Sequence, residues 1–233
     1  KKEVKKSKVY LSCNFVLREN LQFKKIEKII KKRLGKIYFI EGDYNYGRLE
    51  KIETGWRGKI PYYSVTHGGG IHLIDLILGY LNELPYEVNS EGNKLVVKNK
   101  KFKSNDFTIG LLKFKSGKIV KISSNFGCVI PHHHSLKIYG NKGSIVHDIR
   151  GAILASSRSK TKKLLNFNYR TNNKKKLNVL KSFVEDLMNN RKKKINVNFD
   201  SIVNSMLVSL AIEKSIIKNK KIKINYKKLY LDD

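Results

Sequence analysis

From Leu21 to Ile30 the apolar residues Leu21, Phe23, Ile26, Ile29 and Ile30 keep near-helical spacing, and the pattern predicts an amphipathic helix closed by Gly35. Ahead of it, residues 9–16 (VYLSCNFV) form a continuous β-rich apolar run, the pattern of a strand buried on both faces of a parallel sheet. Residues 36–44 alternate with the period of two expected of a half-buried strand. An irregular stretch rich in glycine and aromatics, 44–70, then leads into an apolar helix that starts within HGGGIHLIDLILG, residues 67–79. Residues 86–97 read as strand pieces around a turn at 90–93, and 107–114 with 118–126 as a hairpin about Ser116-Gly117. Two more strands, 136–139 and 144–148, flank Gly140–Gly143, and 152–156 extends the set. After a polar, basic loop over 157–176, two helices are predicted. The first, 177–190, has Leu180, Phe183, Val184 and Leu187 as its stripe. The second, 200–219, has Asp200 as N-cap and Ile202, Met206, Leu210 and Ile217 facing inward. Residues 222–224 close the chain as a short strand.

These elements predict an α+β fold, a mostly antiparallel open sheet with helices packed on one face. The strand at 9–16 has no parallel partner in the remaining sequence, and no strand–GxGxxG–helix unit occurs. The chain therefore reads as the back half of a longer protein.

Composition narrows the function classes. The 233 residues are 40% hydrophobic, ample for a core, and the longest apolar runs fall short of a membrane span. Two cysteines without redox or metal spacing and the lack of a secretory signal fit a reduced, cytoplasmic setting. The net charge of +30 raises nucleic acid as a partner, yet only eight of the 49 basic residues are arginine, the fork-shaped reader of bases and phosphates. The lysines are spread along the whole chain beside many Ile and Asn, a pattern of AT-rich codon drift on solvated faces. Specific nucleic-acid binding is not expected, nor is membrane binding; some of the charge would favour an anionic substrate.

The glycine-histidine stretch carries the chemistry. A phosphate loop fails here, for no Lys-Ser/Thr follows the glycines. A metal would need His67 and His72 plus a third ligand from His132–His134, and adjacent histidines on a strand point in different directions. No metal site is expected. Two readings of His72 remain: an inert core histidine among Ile71, Leu73 and Ile74, or a proton carrier in the first helical turn, kept neutral by the helix dipole. Asp75, one turn on, orients that ring or serves as a first-turn carboxylate.

The flanks add context. Gly55-Trp56-Arg57, Tyr62-Tyr63, GGGIHLIDLILGYLNELP, then SNFGCVIPHHHSLKIYGNKGSIVHD at 124–148 and residues 201–224 together resemble the C-terminal domain of the glucose–fructose oxidoreductase / inositol dehydrogenase (Gfo/Idh/MocA) family. Within it, the GWR, YYSVTHGGG and NFGCVIPHHH motifs look closest to members encoded with surface-polysaccharide and sugar-nucleotide genes. The resemblance implies a sugar or polyol oxidoreductase using NAD or NADP, with the cofactor carried mainly by an N-terminal Rossmann domain. Residues 1–17 would be the end of that domain, its last helix end and strand, and 18–233 the substrate-binding and oligomerisation domain. On this mapping His72 is the catalytic acid/base; Trp56, Arg57, Tyr62, Tyr63, His67 and Asp75 serve the substrate; Asn14 and Arg18 face the nicotinamide. The open sheet would make homo-oligomers. Alone, residues 1–233 would be inactive.

One departure stands out. Many members carry Asp or Asn four residues before the histidine, where this chain has Gly68. The rival reading is a non-catalytic scaffold or polyanion-binding module. For the catalytic reading to hold, the His72 ring should open onto a sugar-sized cavity beside Trp56 and the tyrosine pair.

Overall fold

The computed structural model describes residues 2–7, 9–159, 164–168, 175–189 and 197–226. A short helix α1 (Lys2–Ser7) comes first, and the run 9–16 that follows is not a strand. A strand buried on both faces needs hydrogen-bonded neighbours, and none of the described strands lies beside it. The backbone instead makes tight local turns, Phe15 N–H to the Cys13 carbonyl and Val16 N–H to the Asn14 carbonyl, both 2.9 Å. Val9, Tyr10 and Leu11 stay exposed, while Phe15 and Leu17 are buried.

Helix α2 (Leu21–Ile29) starts where the Asn20 side chain accepts the Gln22 N–H. It widens into a π-turn, Ile30–Leu34, and ends at Gly35 with φ 68°. Phe23, Ile26, Ile30 and Leu34 are buried, whereas Leu21 is exposed. The chain then enters β1 (Ile37–Asn45), passes through α3 (Glu50–Glu53), a 3-10 turn at Trp56–Lys59 and a second π-turn at Thr66–Gly70, and runs into α4 (Ile71–Leu81). The sheet continues with β2 (Glu87–Asn93), β3 (Phe107–Lys113), β4 (Ile119–Asn125), β5 (His133–Gly140), β6 (Ser144–Asp148), β7 (Gly151–Ala155) and β8 (Leu165–Asn166). Helices α5 (Lys175–Met188) and α6 (Phe199–Lys218) and the short β9 (Ile222–Lys223) complete the order.

The strands form one open sheet in the order β8-β7-β6-β5-β1-β4-β3-β2-β9, antiparallel except for the central β1–β4 pair. Residues 90–93, expected to turn, are instead strand: Ser90 lies opposite Gly110 and Asn93 opposite Phe107. Helices cover one face. There Ile40, Gly42 and Tyr44 of β1 are buried, and Gly42 leaves room for Ile77 and Leu73 of α4. The other face carries Glu41 and Asp43, held by Lys137 and Lys121 at 3.0 and 2.7 Å. It is half-buried and wears a balanced set of charges.

The two late helices differ from expectation in which side they bury. Of the α5 stripe, Leu180 and Val184 are exposed while Phe183 and Leu187 are half-buried, and Val179 is the buried residue; Asn190 lies outside the described residues, as does part of the 157–176 loop. In α6 the buried side is Ser205, Val208, Ser209, Ala211, Ile212 and Ser215, while Met206, Leu210 and Ile217 are exposed. Small side chains let α6 lie close to α4 and β2, so hydrophobicity alone picks the wrong face. The α6 N-cap is Asn198, whose side chain accepts the Ser201 N–H at 2.9 Å, and Asp200 sits in the first turn. Asn198→Ala should therefore lower stability by about 1 kcal/mol in urea unfolding, whereas Asp200→Asn should change it much less.

No lysine among the described residues is buried, as expected of solvated charge. Among those residues no helix is long and apolar enough to cross a membrane, and Cys13 and Cys128 are free thiols.

Candidate active site

Three glycines set the approach to α4. A Cβ on Gly68 would overlap the Tyr63 hydroxyl, one on Gly69 the Tyr44 ring, and one on Gly70 the Ser124 hydroxyl. The glycine run thus seats the helix start directly on β1, β4 and Tyr63, and close packing rather than a ligand accounts for it. Tyr63 occupies the space a side chain at 68 would need, so the missing carboxylate is a steric consequence of this tyrosine. The turn over Thr66–Gly70 is π-type and runs directly into α4.

His72 lies in the first turn of α4 and remains partly accessible. Its ring meets Phe15 edge-on at 6.0 Å and stacks over Tyr44 at 6.4 Å. Nδ1 is buried with no hydrogen-bond partner among the described residues. Burial lowers the imidazole pKa, so the ring is neutral near neutral pH. The ring is neutral and partly accessible, and its buried Nδ1 lacks the hydrogen bond that a structural core histidine would have.

Asp75 does not orient that ring. It is fully buried and held by Arg18 in a two-point ion pair, Nε at 2.7 Å and Nη2 at 2.6 Å, with the Ser205 hydroxyl at 3.4 Å. Burial pushes the carboxyl pKa up and the Arg18 fork and Ser205 pull it back; the forked geometry is that of a carboxylate. Arg18, expected to face the nicotinamide, is thus tied to α4, and Asp75, expected to bind substrate, is out of reach. Asn14 is exposed in the turn before α2.

The remaining expected residues separate. Tyr62 is 83% exposed, while Tyr63 is half-buried, and burial pushes its phenol to about 12 with Arg57 opposing. Trp56 is 60% exposed, and the Arg57 guanidinium lies 4.6 Å from its ring centroid. His67 turns toward α6: its Nδ1 is 2.6 Å from the Ser209 hydroxyl and its backbone N–H reaches Ser64 Oγ at 3.0 Å. It anchors the π-turn rather than lining a pocket. Burial lowers its pKa, with Glu213 opposing.

Residues passed over as chemistry form the wall beside His72. Tyr44, Tyr46, Phe126, His132 and His134 have ring centroids 4.5–6.0 Å apart, and Tyr44 links them to the imidazole. The sequence signal was available: Tyr44 and Tyr46 are two positions apart at the end of β1, and His132 and His134 two apart at the start of its neighbour β5. His133 points the other way, to the Asn45 side chain at 3.2 Å. Among the described residues no group of three His, Cys, Asp or Glu is placed to hold a metal.

Well-formed clefts flank Gly79 on either side, with volumes near 310 and 500 Å³, and neither includes His72, Trp56, Tyr62 or Tyr63. The two clefts beside Gly79 are not the cavity expected at His72, Trp56 and the tyrosine pair. On the His72 side stands an aromatic wall.

Residues 23–146, more than half of the chain, match the family model described as the GFO/IDH/MocA C-terminal domain. The chain belongs to the GFO/IDH/MocA family. Solved structures share the family fold over most of the chain. A provisionally assigned NADPH-dependent oxidoreductase from Desulfitobacterium hafniense aligns with TM-score 0.77 at 20% identity, covering 96% of this chain and 67% of that one. The scyllo-inositol dehydrogenase of Lactobacillus casei, with bound NAD(H) and scyllo-inositol, gives 0.73 at 12%, with 96% and 67% covered. UDP-N-acetylglucosamine 3-dehydrogenase of Acidithiobacillus ferrooxidans gives 0.71 at 11%, with 91% and 63% covered. The chain thus spans about two thirds of the length of these GFO/IDH/MocA structures. No curated protein matches it.

Acid should weaken the fold through its buried imidazoles. His67, His72 and His147 all have pKa values lowered from 6.5, burial being the main cause in each. Below that value the unfolded chain binds more protons than the folded one, so stability falls as pH drops from 6.5 toward the folded-state values. Urea midpoints measured at pH 7.5 and 5.5 should show the lower value at the acid pH, and His147→Gln should reduce the difference.

Proposed function

We propose that this chain is the substrate-binding part of a sugar or polyol oxidoreductase in which His72 is the general acid/base. The supporting observation is the state of that one ring: uncharged, unpaired at Nδ1, partly accessible, and seated where a helix start meets an aromatic wall. As an alcohol is oxidised, its hydroxyl proton passes to the neutral imidazole; in the reverse direction the imidazolium returns it to the forming alkoxide. Phe15 and Tyr44 fix the ring plane and keep water from its faces. A nicotinamide, NAD or NADP, would take up the hydride, and residues outside this chain would bind it. That same part of the protein would supply the wall that turns the His72 surface into a cavity. A sugar-nucleotide substrate and a setting in polysaccharide synthesis follow the motif resemblance. The half-buried sheet face, with its balanced Glu41, Asp43, Lys121 and Lys137, is proposed to pair with a second copy.

The test is turnover. An enzyme that joins this chain to a dinucleotide-binding domain of the family should reduce NAD or NADP with at least one sugar, polyol or nucleotide sugar. Failure with both cofactors across such a panel would overturn the proposal. The pH profile adds a second check. Because burial lowers the His72 pKa, kcat/KM for oxidation should rise with pH about a midpoint below the ordinary imidazole value of 6.5; a rise centred above 6.5 would exclude this imidazole as the base.

A further inference from the structure

Three loops leave the sheet at one end. The registers set Asn45 of β1 beside Asn125 of β4, Asn125 opposite Phe107 of β3, and Phe107 opposite Asn93 of β2. The segments that follow β1, join β2 to β3 and follow β4 therefore start from one row. They are also stitched together. The Phe126 N–H donates to the Asp106 carbonyl at 3.0 Å, a Cβ on Gly127 would meet the Val96 side chain, and the Glu53 carboxylate accepts the Lys98 N–H at 3.0 Å.

The 94–106 loop has strong internal anchors. Asp106 is buried, and one of its oxygens accepts the Val96 and Val97 N–H groups at 2.8 and 2.7 Å. The Lys94 ammonium donates to the Asn99 and Phe102 carbonyls, and Val97 and Phe102 are buried. At the tip the same anchors hold apolar side chains outward. Leu95 is 83% exposed and Val96 beside it is exposed; on the adjoining loop Val129 is fully exposed and Ile130 is exposed too. Trp56 and Tyr62 stand exposed on the third loop. Scattered single apolar residues are ordinary on a surface, but adjoining ones fixed by a buried carboxylate mark a contact.

Charge indicates what covers this edge. Residues 94–106 carry five lysines against one acid, Asp106, and that acid is buried. Lys98, Lys100, Lys101 and Lys103 are exposed, and among the described residues none of them holds a carboxylate. A second copy seated here would set these lysines against their own kind, which disfavours self-pairing. Aliphatic tips ringed by ammonium groups, with a tryptophan and a tyrosine beside them, match the headgroup boundary of an anionic bilayer. Along the chain these residues fall in short, separate runs that give no sign of membrane contact; the sheet gathers them.

We propose that the loops 94–103 and 126–131 dock this protein on an anionic membrane surface. The contact is peripheral, leaves His72 out, and holds whichever reaction that histidine serves.

The 233-residue chain would be floated with vesicles of phosphatidylglycerol and phosphatidylcholine in equal parts, and with phosphatidylcholine alone. Binding is expected to the anionic vesicles, with a blue shift of Trp56, the sole tryptophan. Leu95→Asp with Val129→Asp should weaken it about tenfold or more, and Lys100→Glu with Lys101→Glu by a similar factor. Lys32→Glu with Arg33→Glu makes the same charge change at the far end of the sheet, beside the β5–β6 turn, and should alter binding less than about twofold. All six side chains are exposed, so the urea midpoints of the variants should stay with that of the parent. No flotation with anionic vesicles at about 0.15 M salt would overturn the proposal. So would equal weakening by the Lys32/Arg33 pair, or indifference to the Leu95/Val129 pair, for either marks adsorption through net charge alone. A parent chain that sediments as an oligomer and becomes monomeric with Leu95→Asp and Val129→Asp would assign the patch to a second copy and overturn it as well. Binding that disappears once a dinucleotide-binding domain of the family is joined to the chain would assign the patch to that domain, against the proposal.

Discussion

Asp75→Ala lowers the stability of the chain by about 3–5 kcal/mol, the usual result of removing one partner of a buried ion pair. The carboxylate is fully buried, and Arg18 meets it with two hydrogen bonds of 2.6 and 2.7 Å. Without it the guanidinium, itself only 16% exposed, is left with a charge and two donors that α4 no longer satisfies. Arg18→Met in the same background should recover much of the loss, because the second change removes the stranded charge instead of a contact. Urea unfolding of the two single variants and the double variant measures this. A double variant as unstable as the sum of the singles would show that the pair acts through packing alone.

His72→Asn is expected to reduce kcat about 10²–10⁴-fold in an enzyme built around this chain, the usual contribution of a positioned general acid/base. Stability should change by less than about 1 kcal/mol, since the ring's buried Nδ1 has no hydrogen bond to lose. The two readouts together separate a proton carrier from a core histidine. Loss of stability with retained turnover would assign the ring to packing.

The strands of this fold were legible from their patterns, because half-buried strands alternate and the glycine turns between them have few other uses. The 107–126 hairpin and the 136–148 pair both form as read. Residues 9–16 show where pattern stops: an apolar run suggests burial, yet Val9, Tyr10 and Leu11 are exposed and no described strand lies beside the segment. Helix α6 shows a second limit. Its inner side is serine and alanine chosen for small volume, and a hydrophobicity count points to Leu210 and Ile217 on the outside. At the candidate site, His72 was singled out because a helix start, glycines and histidine occur in sequence. The Arg18–Asp75 pair was not, for its members are 57 positions apart and each alone suggests a different role. Nor was the reason for Gly68, which depends on where Tyr63 places its hydroxyl.

Among the described residues the only parallel strand pair lies at the centre of the sheet, and this bears on the order in which the protein can be assembled. Phe39 of β1 pairs with Ile119 of β4, and Asn45 with His133 of β5. During synthesis, at roughly 5–20 residues per second, β1 leaves the ribosome several seconds before either neighbour exists. Until then its edges are bare and open to wrong partners. Completion of the core waits for the chain to reach β5, so nascent chains stopped before residue 119 should depend on chaperones far more than those stopped after β6.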